Sequence, residues 1–322
     1  MIKSYDIQDN RLIEVTEAPG KVWVVTKPDE AEKEQLKTQY RLDDYNMNSM
    51  LDPDEVPRLE LLEDRMLLIW KHPEHALPAD IVELNVSVVG ISLMREQLAF
   101  VQTLDDWTFM AREFRHVVDA RDAMLGFLLL TVRHFVGHLR AIKQVSGELE
   151  KKITVSMENR HLLQMFSLSE SLVYYIDAIE GNAAVLSKLR TIAAQHGFLP
   201  RQIEILDDII LESNQAARQA TIYSSVLNGL MDARGTIVGN NMNVLLTNLT
   251  LINIVFLPLN LIASIGGMSE WSMMTRGMNW RVSYALFFVG MLALGYGTWL
   301  LMKTLISRQV YAFSKRKSAP QS

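Results

Sequence analysis

Residues 235–269 read GTIVGNNMNVLLTNLTLINIVFLPLNLIASIGGMS, and no Asp, Glu, Lys or Arg interrupts them. A second charge-free run, VSYALFFVGMLALGYGTWLLM, fills residues 282–302. Roughly 20 apolar residues of helix cross a hydrocarbon core of about 30 Å, so each run is long enough to span a bilayer once. Averaged over all 322 residues the composition, 49% hydrophobic and 21% charged, is that of an ordinary globular protein. The apolar character is therefore segregated. Two transmembrane helices with a very short connecting loop follow a large water-soluble N-terminal part.

The first run carries a pattern of its own. Asp232, Thr236, Gly239, Asn243, Leu246, Thr250, Asn253, Leu257, Asn260, Ser264 and Gly267 alternate steps of four and three, a heptad seam unbroken over five repeats. Most of the seam is polar or small, whereas Ile252, Ile254, Val255, Phe256, Leu259 and Ile262 beside it are apolar and suit lipid or the second span. An amide or hydroxyl in hydrocarbon costs free energy unless it finds a partner or water. The seam thus faces either a closed helix bundle, with Asn and Thr pairing between copies, or a water-filled pathway. Periodicity alone leaves both readings open. Two spans per chain cannot enclose a pathway, so a transport role requires several copies, and Asp232 would then ring its cytoplasmic mouth with negative charge.

Upstream, short apolar runs between turn signals, KVWVVTKPDE, RMLLIWKHPEH and IVELNVSVVGISL, suit strands. EAEKEQLKTQY after Pro28 and Asp29 suits an amphipathic helix. Residues 1–115 therefore read as an α/β cytoplasmic domain. Residues 116–243 read as long helices and a stalk, with Gly197 to Pro200 marking a stop and a new start. A helix from about Arg201 into the first span would be about 100 Å long, more than a bilayer needs. The divisions that follow are transmembrane helix 1 at 244–268, an external loop at 269–281, transmembrane helix 2 at 282–303 and a basic cytoplasmic tail at 304–322.

Arg308, Lys315, Arg316 and Lys317 follow the second span, while the stretch from Ser269 to Trp280 holds only Glu270 and Arg276. The positive-inside bias places both termini in the cytoplasm. The start MIKSYDIQDN has no apolar stretch of the kind a signal peptide needs. A net charge of −5 without a basic, aromatic-interleaved patch argues against nucleic acid as a partner. There is no cysteine, which removes disulfides and thiolate metal sites. No phosphate loop or nucleophile with its base is visible, so an enzyme is not expected, nor a resident cofactor.

Gly229-Leu230-Met231-Asp232, Asn241-Met242-Asn243, Leu249-Thr250-Leu251-Ile252 and Phe256-Leu257-Pro258-Leu259 resemble, in type and spacing, the stalk and pore helix of the CorA family of divalent-cation channels. LDPDEVPRLELLEDRMLLIW, at residues 51–70, is similar to that family's α/β-domain signature. The resemblance implies a homopentamer in a bacterial-type inner membrane, with the first span lining the pore and the second outside it. It implies pore-facing positions at Asn243, Thr250, Leu257, Asn260, Ser264 and Gly267, and a mouth aspartate at Asp232. The family's Gly-Met-Asn tripeptide lies nine residues after its proline, where this chain has Gly267-Met268-Ser269. A literal Gly-Met-Asn stands at Gly277-Met278-Asn279, ten residues later. Taking the earlier tripeptide as the selectivity position leaves Mg²⁺ and Zn²⁺ both open as cargo, as in the related ZntB transporters with their altered tripeptide, with Co²⁺ and Ni²⁺ besides. A membrane-anchored scaffold or cation sensor with a closed bundle is the alternative.

Other candidates carry weaker signals. His134 and His138, at i and i+4, have a spacing that holds Zn²⁺, but no third ligand is near in sequence. Asp52, Asp54, Glu55, Glu60, Glu63 and Asp64 form an acidic cluster best read as a solvated face. Asp207 and Asp208 are regulatory candidates, Asp208 falling close to a cation-sensing position of the family. Glu270 would concentrate cations at the external entrance.

Overall fold

The computed structural model describes residues 1–15, 20–62, 64–74, 84–104, 109–155, 159–267, 273–274 and 276–317. It divides into two compact units, Met1–Asp232 and Ala233–Ser322.

The first unit is built on strands β1 (Ile2–Gln8), β2 (Arg11–Glu14), β3 (Val22–Thr26), β4 (Arg58–Leu62), β5 (Arg65–Pro73), β6 (Val86–Met94) and β7 (Gln97–Gln102). They form one sheet in the order β2-β1-β3-β7-β6-β5-β4, with β3 parallel to β7 and the other pairs antiparallel. Successive side chains of a strand point to opposite faces. Here both faces are covered, which is why VWVV and MLLIW are continuously apolar instead of alternating. Val22, Val24, Met66, Leu68 and Trp70 enter one core, and Trp23, Val25, Leu67 and Ile69 enter the other.

Helices α1 (Glu30–Tyr40) and α2 (Asp44–Leu51) close the second face through Leu36, Tyr40, Met47 and Met50. Asp29 caps α1, with the Glu32 side chain reaching back to complete a capping box. A Cβ at Gly90 would lie 2.1 Å from Met50 Cγ, so only glycine lets α2 approach β6 this closely. The first face is closed by α3 (Ala120–Val155), the end of α4 (Asn159–Ile192) and the start of α5 (Pro200–Gly266), through Phe127, Leu128, Leu189 and Leu206. Beyond the sheet the same helices pack on one another, Phe135 and Leu139 against Leu172 and Tyr175 with Ala216 and Ala220.

Polar clamps fix the helices. Arg201 Nη2 donates to both oxygens of buried Asp122, at 2.8 and 2.7 Å, and Gln202 Nε2 donates to Asp119 and Asp122, each at 2.9 Å. They tie the first turn of α5 to the first turn of α3. Asn182 on α4 pairs with both backbone groups of Lys71 on β5, accepting at 3.0 Å and donating at 2.8 Å.

The second unit contains the rest of α5 and a further helix, α6 (Trp280–Lys317). Three described helices are long and apolar enough to cross a membrane. Half of α3's apolar window is buried inside the first unit, so its apolarity is accounted for by the core, whereas none of the corresponding windows in α5 and α6 is buried. Pro258 sits inside α5 without ending it. A proline removes one backbone donor, a loss that membrane helices accommodate through neighbouring groups.

Candidate functional site

α6 covers one side of α5. Leu251, Val255, Pro258, Leu259 and Ile262 of α5 are half-buried, as are Phe287, Met291, Gly295 and Thr298 of α6, and Ser283 is buried. At Gly295 a Cβ would come within 3.3 Å of Leu259 Cδ1, so the small residue admits the first span's leucine. Asn243, Leu246, Thr250, Asn253, Leu257, Asn260 and Ser264 are all exposed. At 3.6 residues per turn their mean direction lies roughly 150° from that of the covered stripe. The second span thus packs on the side of α5 away from the polar seam and leaves that seam open.

At the other end Asp232 and Thr236 are exposed, Gly239 is exposed, and Arg234 is buried. Gly267 ends the described part of this stretch, its N–H bonded to Ala263 O at 3.1 Å. Met268, Ser269 and Glu270 lie outside the described residues. Thr250 Oγ1 donates to Leu246 O at 2.8 Å, and Thr247 Oγ1 donates to Asn243 O at the same distance.

The remaining candidates sit in the first unit. The rings of His134 and His138 meet edge to face with centroids 4.5 Å apart, and His138 Nδ1 lies 2.6 Å from Tyr175 Oη. Buried His72 of β5 adds a third imidazole, 5.3 Å from His134, and stacks on Phe127. Burial pushes the Tyr175 hydroxyl well above the usual tyrosine range. Among the described residues, no group of three or more His, Asp or Glu side chains is placed to hold a metal ion. Asp207 pairs with Arg190 at 2.6 and 3.1 Å, while neighbouring Asp208 is exposed. In the acidic cluster, Glu55 and Glu60 each pair with Arg58 at 2.5 Å and Asp64 pairs with Arg41 at 2.9 Å; Glu63 lies outside the described residues.

Neither the contact face of α6 nor the approach of His72 to His134 and His138 was anticipated from the sequence. Ser283, Phe287, Met291, Gly295 and Thr298 recur at steps of four and three, with small or hydroxyl residues at three of the five. That spacing was the available signal. His72 and Tyr175 reach His134 and His138 from other elements, and no local pattern connects them.

A covered mixed sheet, long packed helices and two C-terminal helices long and apolar enough to span a bilayer, the first with an open polar seam, define a membrane-protein architecture. The profile of the CorA-like Mg²⁺ transporter protein family matches residues 20–304. The chain belongs to that family of divalent-cation transporters. It is 22% identical over 263 residues to the cobalt/magnesium transport protein CorA of Methanocaldococcus jannaschii, covering 77% of this chain and 80% of that one. The complete structure of the CorA magnesium transporter from that organism shares the fold with a TM-score of 0.72 and 18% identity, covering 94% and 97% of the two chains. The ZntB cytoplasmic domain from Vibrio parahaemolyticus matches with a TM-score of 0.51 and 10% identity, over 72% of this chain and 98% of that domain.

Proposed function

We propose that this chain assembles as a homopentamer in the inner membrane, and that its first spans surround a pathway for Mg²⁺ or Zn²⁺, with Co²⁺ and Ni²⁺ as further cargo. One observation carries the reading: the polar seam of α5 is exposed on the side away from α6. In hydrocarbon the asparagine amides of such a seam need partners or water, and five copies around an axis would turn them inward onto water and ions. Asp232 would stand at the cytoplasmic mouth, Asn243, Thr250, Asn253, Leu257, Asn260 and Ser264 along the pathway, and Gly267-Met268-Ser269 with Glu270 at the outer end. Magnesium and cobalt enter as cargo through the name of the M. jannaschii relative. Zinc enters because a serine hydroxyl replaces the amide carbonyl of the family's tripeptide. Both termini face the cytoplasm on the positive-inside count. Asp208 is the stronger regulatory cation candidate, because it is exposed while Asp207 is engaged by Arg190. His134 and His138 are the weaker metal candidates. The test is uptake of each of the four metals into proteoliposomes containing purified protein; failure to move any of them would refute the reading.

A further inference from the structure

We propose that Thr250 favours cations over anions along the pathway, adding to the charge at its mouths, by presenting an oxygen with no hydrogen to give. The proposal rests on the reading of the seam as a pathway.

A threonine hydroxyl has one hydrogen and two lone pairs. Thr250 Oγ1 lies 2.8 Å from Leu246 O, and a carbonyl oxygen has no hydrogen, so the hydroxyl is the donor and its hydrogen is held by the helix. What Thr250 offers on the exposed seam is lone pairs alone. The seam's asparagines differ, because each amide offers both N–H groups and a carbonyl oxygen and can meet an ion of either sign. A hydrated cation turns its water oxygens inward and their hydrogens outward. Its outer surface therefore presents hydrogens and asks for acceptors, whereas the waters around an anion keep one hydrogen each for the ion and present lone pairs as well, which ask for donors. Magnesium keeps several waters in its protein sites, so contact through the hydration shell is its ordinary mode. A collar of acceptor-only hydroxyls between Asn243 and Asn253 matches the whole shell of a hydrated divalent cation and leaves the outward lone pairs of a hydrated anion's shell without donors.

Thr247 provides an internal control. Its hydroxyl makes the same bond, to Asn243 O at 2.8 Å, but it stands outside the seam's register. Magnesium and chloride fluxes into proteoliposomes should be measured for wild type, Thr250→Val, Thr250→Ser, Thr250→Asn, Thr247→Val and Asn253→Leu, with assembly checked by native mass. The expected result is a loss of magnesium flux of about tenfold in Thr250→Val, with Thr250→Ser and Thr247→Val within about twofold of wild type. Thr250→Asn, which restores polarity but adds donors, should lower the magnesium-to-chloride ratio about fivefold or more. Equal losses in Thr250→Val and Thr247→Val would show a purely structural role for the back-bonded hydroxyl and overturn the proposal. Wild-type flux in Thr250→Val, or an unchanged ratio in Thr250→Asn, would overturn it also. If Asn253→Leu is impaired in that case, only the assignment to Thr250 has failed. A wild-type protein that moves no cation would overturn the pathway reading and this proposal together.

Discussion

Single side chains carry the two sharpest consequences. On the proposed register from Pro258, Ser269 takes the place of the asparagine in the family's tripeptide. Ser269→Asn adds an amide carbonyl, a better acceptor for the hydrogens of an ordered hydration shell. Uptake ratios in proteoliposomes should shift toward magnesium over zinc about fivefold, with assembly unchanged, whereas Asn279→Ala should alter flux little. Loss of transport in Asn279→Ala with silence at Ser269 would mean that the first span ends later than Pro258 implies. The second consequence concerns Tyr40, whose Oη donates to Leu98 O at 3.2 Å inside the core. Burial disfavours the phenolate and raises the hydroxyl's pKa in the folded state. The stability this contributes is complete below the unfolded value of about 10 and is lost as pH rises above it. Thermal unfolding between pH 8 and pH 11 should therefore fall more steeply in wild type than in Tyr40→Phe; parallel curves would contradict the burial argument.

At the scale of elements, the start of α5 depends on one buried carboxylate. Asp122 accepts from Arg201, Gln202 and the Val118 N–H, so Asp122→Ala takes this acceptor from Arg201 and Val118 and leaves Gln202 only Asp119. The cost should be about 2–4 kcal/mol, read as a lower melting temperature in detergent. A change within about 0.5 kcal/mol would show that the clamp is ornamental. The elements were unequally legible. α1 was announced by the start signal at Pro28 and Asp29, and the long run without a helix breaker after Pro200 announced α5. The β3–β7 pairing was hidden, because the strands are separated by more than 70 residues and nothing local says which partner an apolar strand takes. The polar seam was visible because a helix writes its faces into sequence spacing; the side that α6 covers was not, because that required a second helix to be placed.

For the whole molecule, the first expectation is mass. Native mass spectrometry in mild detergent should give five chains of 36.7 kDa, and a conducting monomer or dimer would contradict the assembly. Tags at either terminus should be unreachable from outside intact cells, while one near Met273 should be reachable; the reverse would refute the positive-inside reading. The central claim is that the seam conducts because its amides line water. The most direct measurement is magnesium and zinc uptake by proteoliposomes carrying wild type or the Asn253→Leu/Asn260→Leu double variant, each verified as the same oligomer. The account predicts saturable uptake by wild type and a loss of at least about tenfold in the variant. Equal uptake by the two proteins would contradict it.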